Sequence, residues 1–201
     1  MTLEKVASLV PENAALEMKR AYNSVIEICS VLAETTKTTS VRTPEGPIAL
    51  YLRAMDCYRM HAPARRLASE RWARAAKHLS EAFWHETKIA YLKDRTAALP
   101  YLTDALSEYH LHHENEESAQ ALLDTYAERA AQPSSEVPIP TQALLEIGRR
   151  HLSALQDPDE PQHELLSAER IKAANQYGRA LECIFLAIES EQEGEPKTKA
   201  A

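Results

Sequence analysis

The helix-breaking residues of this 201-residue chain are placed so that three stretches, 12–43, 64–99 and 101–132, contain neither proline nor glycine. Each is longer than thirty residues, and each carries apolar positions at steps of three and four, the pattern of a long helix buried along one face. Hydrophobic residues make up 44% of the chain, enough to close a core, so disorder of the whole chain is excluded. The four glycines, Gly46, Gly148, Gly178 and Gly194, are isolated from one another. Backbone amides therefore cannot gather around a phosphate, which rules out Walker-type and Rossmann-type nucleotide binding.

The expected elements follow from this punctuation. Ala15, Met18, Tyr22, Val25, Cys29 and Leu32 form the seam of a first helix ending near Thr36. A Thr-rich loop leads to a short helix from about Pro47 to His61. A third helix, about Ala64 to Ala98, places Leu67, Trp72, Ala75, Leu79, Ala82, Ile89 and Leu92 on one arc, with Trp84 and Tyr91 on the other side. A fourth spans about 101–131, with HLHHENEE in its middle. Residues 132–140 hold three prolines and read as an extended connector. A fifth helix is expected from Thr141, taken as its N-cap, to about Leu155, and a sixth over about 163–190.

The expectation is thus an all-α, up-and-down bundle of about six helices, four of them long. Residues 1–131 form its main body, 141–190 pack on the same bundle, and 191–201 are a disordered tail. Because the long helices are apolar on more than one side, a homodimer or larger assembly is expected. Proline spacings of 37 and 33 residues suggest a helical repeat, but the tetratricopeptide landmarks are missing.

Charge and cysteine usage narrow the function classes. A net charge of -7 disfavours nucleic acid and anionic lipid as partners, and no leader or membrane-spanning window occurs, so a cytoplasmic protein is expected. Cys29, Cys57 and Cys183 each lie within an apolar helical pattern and read as reduced core thiols. Residues 59–77 carry a local excess of basic residues and 101–131 an excess of acids, so the two segments are expected to attract each other or an outside partner.

Three constellations bear on chemistry. His78, Glu81 and His85 lie within about 60° of one another on the third helix, and His112 and Glu116 reach the same height if the fourth helix packs antiparallel. Such His and carboxylate ligands on facing helices suit iron, manganese or zinc. The simpler expectation is that the imidazoles pack at the edge of the apolar arc, with no cofactor. Glu86 and Arg71 project into that arc, where a buried charge needs a partner from another helix; a structural ion pair is favoured over a general-base role. Arg71 and His78, with six residues between them, resemble in spacing the Arg–His pair of HEPN-type ribonucleases, which implies RNA processing in a dimer. The residue after the Arg, often polar in that family, is here Trp72.

The leading expectation is a non-enzymatic interaction or regulatory protein using Arg71, Arg74, Trp84 and Tyr91 as contact residues. A metal-binding bundle and a HEPN-like RNA-processing protein are the alternatives.

Overall fold

The computed structural model describes residues 14–35, 45–60, 63–93, 115–133, 137–159 and 164–193. Among these the architecture is an all-α bundle of seven helices with no strand: α1 (Leu16–Thr35), α2 (Glu45–Arg59), α3 (Pro63–Lys93), α4 (Glu116–Thr125), α5 (Ala127–Ala131), α6 (Thr141–Ser153) and α7 (Glu164–Glu193). A 3-10 turn, Ala154–Gln156, extends α6.

The two longest helices, α3 and α7, make the most extensive interface and form the spine. They run antiparallel, since Arg71 meets Leu186 while His85 meets Glu169. On one side α1 and α2 pack on α3. Ser69 donates to the Ala54 carbonyl and to the Met18 thioether, fixing all three helices at one height. On the other side α4 and α6 pack on α7. One core cluster links these layers through Met18, Leu50, Trp72, Leu79, Leu123, Leu145, Tyr177 and Leu181. Val137 and Ile139 of the proline-rich connector pack against that same cluster, and Ile139 reaches Gly46 at the start of α2.

Several expected boundaries shift for local reasons. Pro63 is the first residue of α3, and Pro47 lies in the first turn of α2; both positions leave a backbone donor unpaired anyway, so proline fits. Within the expected fourth helix, α4 is capped by Asn115, whose Oδ1 accepts from the Ser118 amide at 2.7 Å, and the helix breaks at Tyr126 into α4 and α5. Residues 94–114 lie outside the described residues. Thr141 is not the cap of α6. Pro140 holds that position, and the Thr141 hydroxyl reaches back to the Ala130 carbonyl instead. The tail boundary is corrected as well, because residues 191–193 continue α7 and Glu191 is buried. Leu67, assigned to the buried arc, is 44% exposed.

The reasoning behind the homo-oligomer also changes. The apolar faces of α3 and α7 are covered by α1, α2, α4 and α6 of the same chain. Among the described residues the large apolar side chains left exposed are Leu16, Met60 and Leu67.

Gly148 allows the close helix contact that this covering requires. A Cβ at Gly148 of α6 would lie 2.8 Å from Leu123 Cδ2 and 3.2 Å from Tyr177 Cβ. Leu123 is fully buried and Tyr177 is fixed by its own helix. Gly148→Ala is therefore expected to destabilise by about 1–3 kcal/mol in urea denaturation, because overpacking outweighs a helix-propensity gain of up to about 1 kcal/mol. A midpoint shifted upward would contradict this packing.

Candidate functional site

The antiparallel register brings α3 residues, read upward, against α7 residues read downward, and it concentrates polar side chains along an otherwise apolar seam. At one end stands Glu191. Its carboxylate accepts from Arg53 Nε at 3.0 Å, Arg65 Nη1 at 2.7 Å, Trp72 Nε1 at 2.6 Å and Cys57 Sγ at 3.2 Å. Burial pushes this carboxyl upward, but the donors from Trp72, Cys57 and Arg53 outweigh it and hold the group below the usual carboxylate range. The same carboxylate works with burial to push the Cys57 thiol up to about 12. One turn along, Arg71 donates to the Leu186 carbonyl at 2.8 Å and to the Ser190 hydroxyl.

Midway along the seam, His78 Nδ1 lies 2.8 Å from Gln176 Oε1 and 3.5 Å from Glu81 Oε2. Burial pulls His78 down, yet the contacts with Cys183, Glu81 and Gln176 raise it to about 9. Glu81 is shared with Lys77, 3.6 Å away.

Further on, His85 Nδ1 lies 2.7 Å from Glu169 Oε2, and Lys172 Nζ lies 3.3 Å from Glu169 Oε1. Glu169 is 1% exposed and His85 8%. Lys88, Arg170, Lys172 and Asn175 are buried nearby on the same two helices. Burial pushes the Glu169 carboxyl up, and His85 with the two lysines brings it below its ordinary value.

A last group joins three helices. Tyr177 donates to Glu86 Oε1 at 2.8 Å, and His151 Nε2 of α6 lies 3.1 Å from the same oxygen. The His151 ring stacks on Tyr177 with centroids 6.0 Å apart, and its buried Nδ1 has no hydrogen-bond partner among the described residues.

These placements locate each residue singled out from the sequence. Glu86 and Arg71 find their partners on other helices, as buried charges must. His78, Glu81 and His85 share one side of α3, and Glu81 feels both imidazoles. However, His85 is turned to Glu169 and His78 to Gln176, and among the described residues no three His, Cys, Asp or Glu side chains are grouped to hold a metal ion. His112 lies outside the described residues, and Glu116 opens α4 as an exposed side chain. Arg74 is exposed and paired at 3.6 Å with Glu17. Trp84 is half-buried with Lys88 Nζ 5.4 Å from its ring centroid, and Tyr91 is half-buried near the end of α3.

The basic run of α3 meets acids of α1, α3 and α7: Arg65 pairs with Glu191, Arg74 with Glu17 and Lys77 with Glu81. On the acidic stretch, Asp124 pairs with Arg149 of α6 at 2.6 Å.

Glu169, Lys172, Glu191 and His151 were not foreseen. The signal for two of them lies in the stripe of α7. Glu169 fills the gap between Leu166 and Ala173, and Glu191 continues the step from Ile184 and Ile188. Comparison of the chain with family models, curated proteins and solved structures returns no match.

Proposed function

We propose that this protein is a non-enzymatic interaction module that docks an acidic, amphipathic segment of a partner protein on one end of its bundle. The observation that carries this reading is that the exposed large apolar side chains among the described residues lie in the segments where α1 begins, α2 ends and α3 begins. Leu16 is 62% exposed, Met60 60% and Leu67 44%. Arg20, Arg59, Arg66 and Arg74, all exposed, belong to the same segments. Solvated apolar residues beside arginines suit a protein interface, where Met and Arg are enriched. The exposed pairs of Arg20 and Arg74 with Glu17, and of Arg59 with Asp56, are worth little and exchange readily for a partner's carboxylates. The saturation of Glu191 and Glu169 by donors of this chain supports structural duty for those buried charges.

The test is affinity capture on immobilised full-length protein, with Met60→Ser/Leu67→Ser as the comparison. Both sites are exposed, so the fold is expected to survive. An acidic protein retained by the wild type should bind the double variant at least about tenfold more weakly, a loss of about 1.4 kcal/mol, and should elute with salt. Equal retention by both proteins, or retention of RNA in place of an acidic protein, would overturn the proposal.

A further inference from the structure

The ion pairs of Arg20 and Arg74 converge on one group. Glu17, in the first turn of α1, presents Oε1 to Arg20 Nη1 at 3.1 Å and Oε2 to Arg74 Nε at 3.6 Å, so a single carboxylate bridges α1 and α3. The bridge is loosely filled. The contact with Arg20 is a hydrogen bond, whereas 3.6 Å is too long for one and leaves Arg74 with charge attraction alone. A guanidinium carries five N–H donors in a fork that matches a carboxylate, and Arg74 uses none of them in a hydrogen bond among the described residues. Both arginine side chains are about half exposed, so an outside carboxylate can reach them. Leu67 precedes Arg74 by seven residues, hence lies about 20° from it around α3 and about 10 Å away along the axis. An exposed apolar side chain and a carboxylate-binding pair thus share one stripe of the surface.

We propose that Arg20 and Arg74 form the clamp that reads a carboxylate of the docked acidic segment, with Glu17 as its built-in competitor. The inference rests on the docking role proposed above and adds its regulation. Glu17 itself shows which ligand chemistry the two guanidinium groups accept. Exchanging one carboxylate for another keeps the ion pairs nearly constant in number, so each incoming acid gains little, and the displaced Glu17 repels it from close by. The helix dipole favours Glu17 in the first turn of α1 whether or not it is paired, so its release costs the helix little. The consequence is docking that is weak, reversible and sensitive to salt, with the competitor setting its strength.

The experiment measures fluorescence anisotropy of a fluorescein-labelled decaglutamate with the full-length protein at low ionic strength. The proteins compared are the wild type, Glu17→Gln, Glu27→Gln and the double variant Glu17→Gln/Arg74→Gln. Glu27 is exposed on the same helix about 15 Å further on, so its variant makes the same change in net charge away from the clamp. All the altered side chains lie at the surface, and the fold is expected to survive, as circular dichroism would verify. Glu17→Gln should bind at least about threefold more tightly than the wild type, Glu27→Gln should change affinity much less, and the double variant should lose the gain. Equal tightening by Glu17→Gln and Glu27→Gln, or none by Glu17→Gln, would overturn the clamp and its competitor while leaving the docking role standing. Failure of all four proteins to bind the peptide would overturn both together.

Discussion

Glu191→Ala is expected to destabilise the bundle by about 3–5 kcal/mol, the range for removing one partner of a buried, hydrogen-bonded charge group. The carboxylate gathers Arg53 and Cys57 from α2 and Arg65 and Trp72 from α3 onto the last turn of α7. Its loss leaves the Trp72 indole N–H without this acceptor, and removes the carboxylate that faces the Arg53 and Arg65 guanidinium groups. Glu191→Gln should cost less, because the amide oxygen still accepts from Trp72 while the charge is gone. The effect depends on pH with a defined sign. The folded carboxyl is held below its ordinary value, so its stabilising contribution is present above the unfolded value, about 4.3, and is lost as pH falls through the folded one. The gap in stability between wild type and Glu191→Gln, measured by urea denaturation, should therefore be full at neutral pH and narrow below about pH 4. A gap independent of pH would refute the assignment of Glu191 as the charged hub.

The second large effect is expected at Glu169. Glu169→Leu should cost about 3–5 kcal/mol, whereas His85→Leu should cost only about 1–2 kcal/mol. The asymmetry comes from what each change leaves behind. Without Glu169, Lys172 and Lys88 remain buried near a seam that has lost this acid; without His85, the carboxylate keeps Lys172 at 3.3 Å. An imidazole can shed its charge, and a lysine does so only at greater cost. The double variant should be less destabilised than the sum of the two, which a double-mutant cycle in urea would measure. Equal single effects that simply add would show that the 2.7 Å contact carries no coupling.

Much of the architecture was legible in residue order. Long spans without proline or glycine, with apolar residues at steps of three and four, pointed to helices and to which side chains turn inward; Met18, Val25, Trp72, Leu79, Tyr177 and Leu181 are all in the core. The same steps pointed to Glu86 and Arg71 as charges on a buried face. They could not say who would meet them, since His151 lies 65 positions from Glu86 and Ser190 lies 119 from Arg71. Leu67 shows the converse limit: its helical phase placed it inward, yet among the described residues nothing buries it and it is 44% exposed.

Helix formation is a matter of neighbours along the chain, and so the all-α class and most of the apolar stripes were determined by sequence alone. Which stripe lies against which, and at what height, depends on contacts between residues far apart, and only the tertiary structure decided it. That antiparallel meeting of α3 with α7 made Glu191 a hub where a disordered tail was expected. It also turned His78 toward Gln176, and His85 toward Glu169, in place of a shared ion. The physical reason is that a helix sets the angle of a side chain around its own axis, while the partner at that angle is supplied by packing.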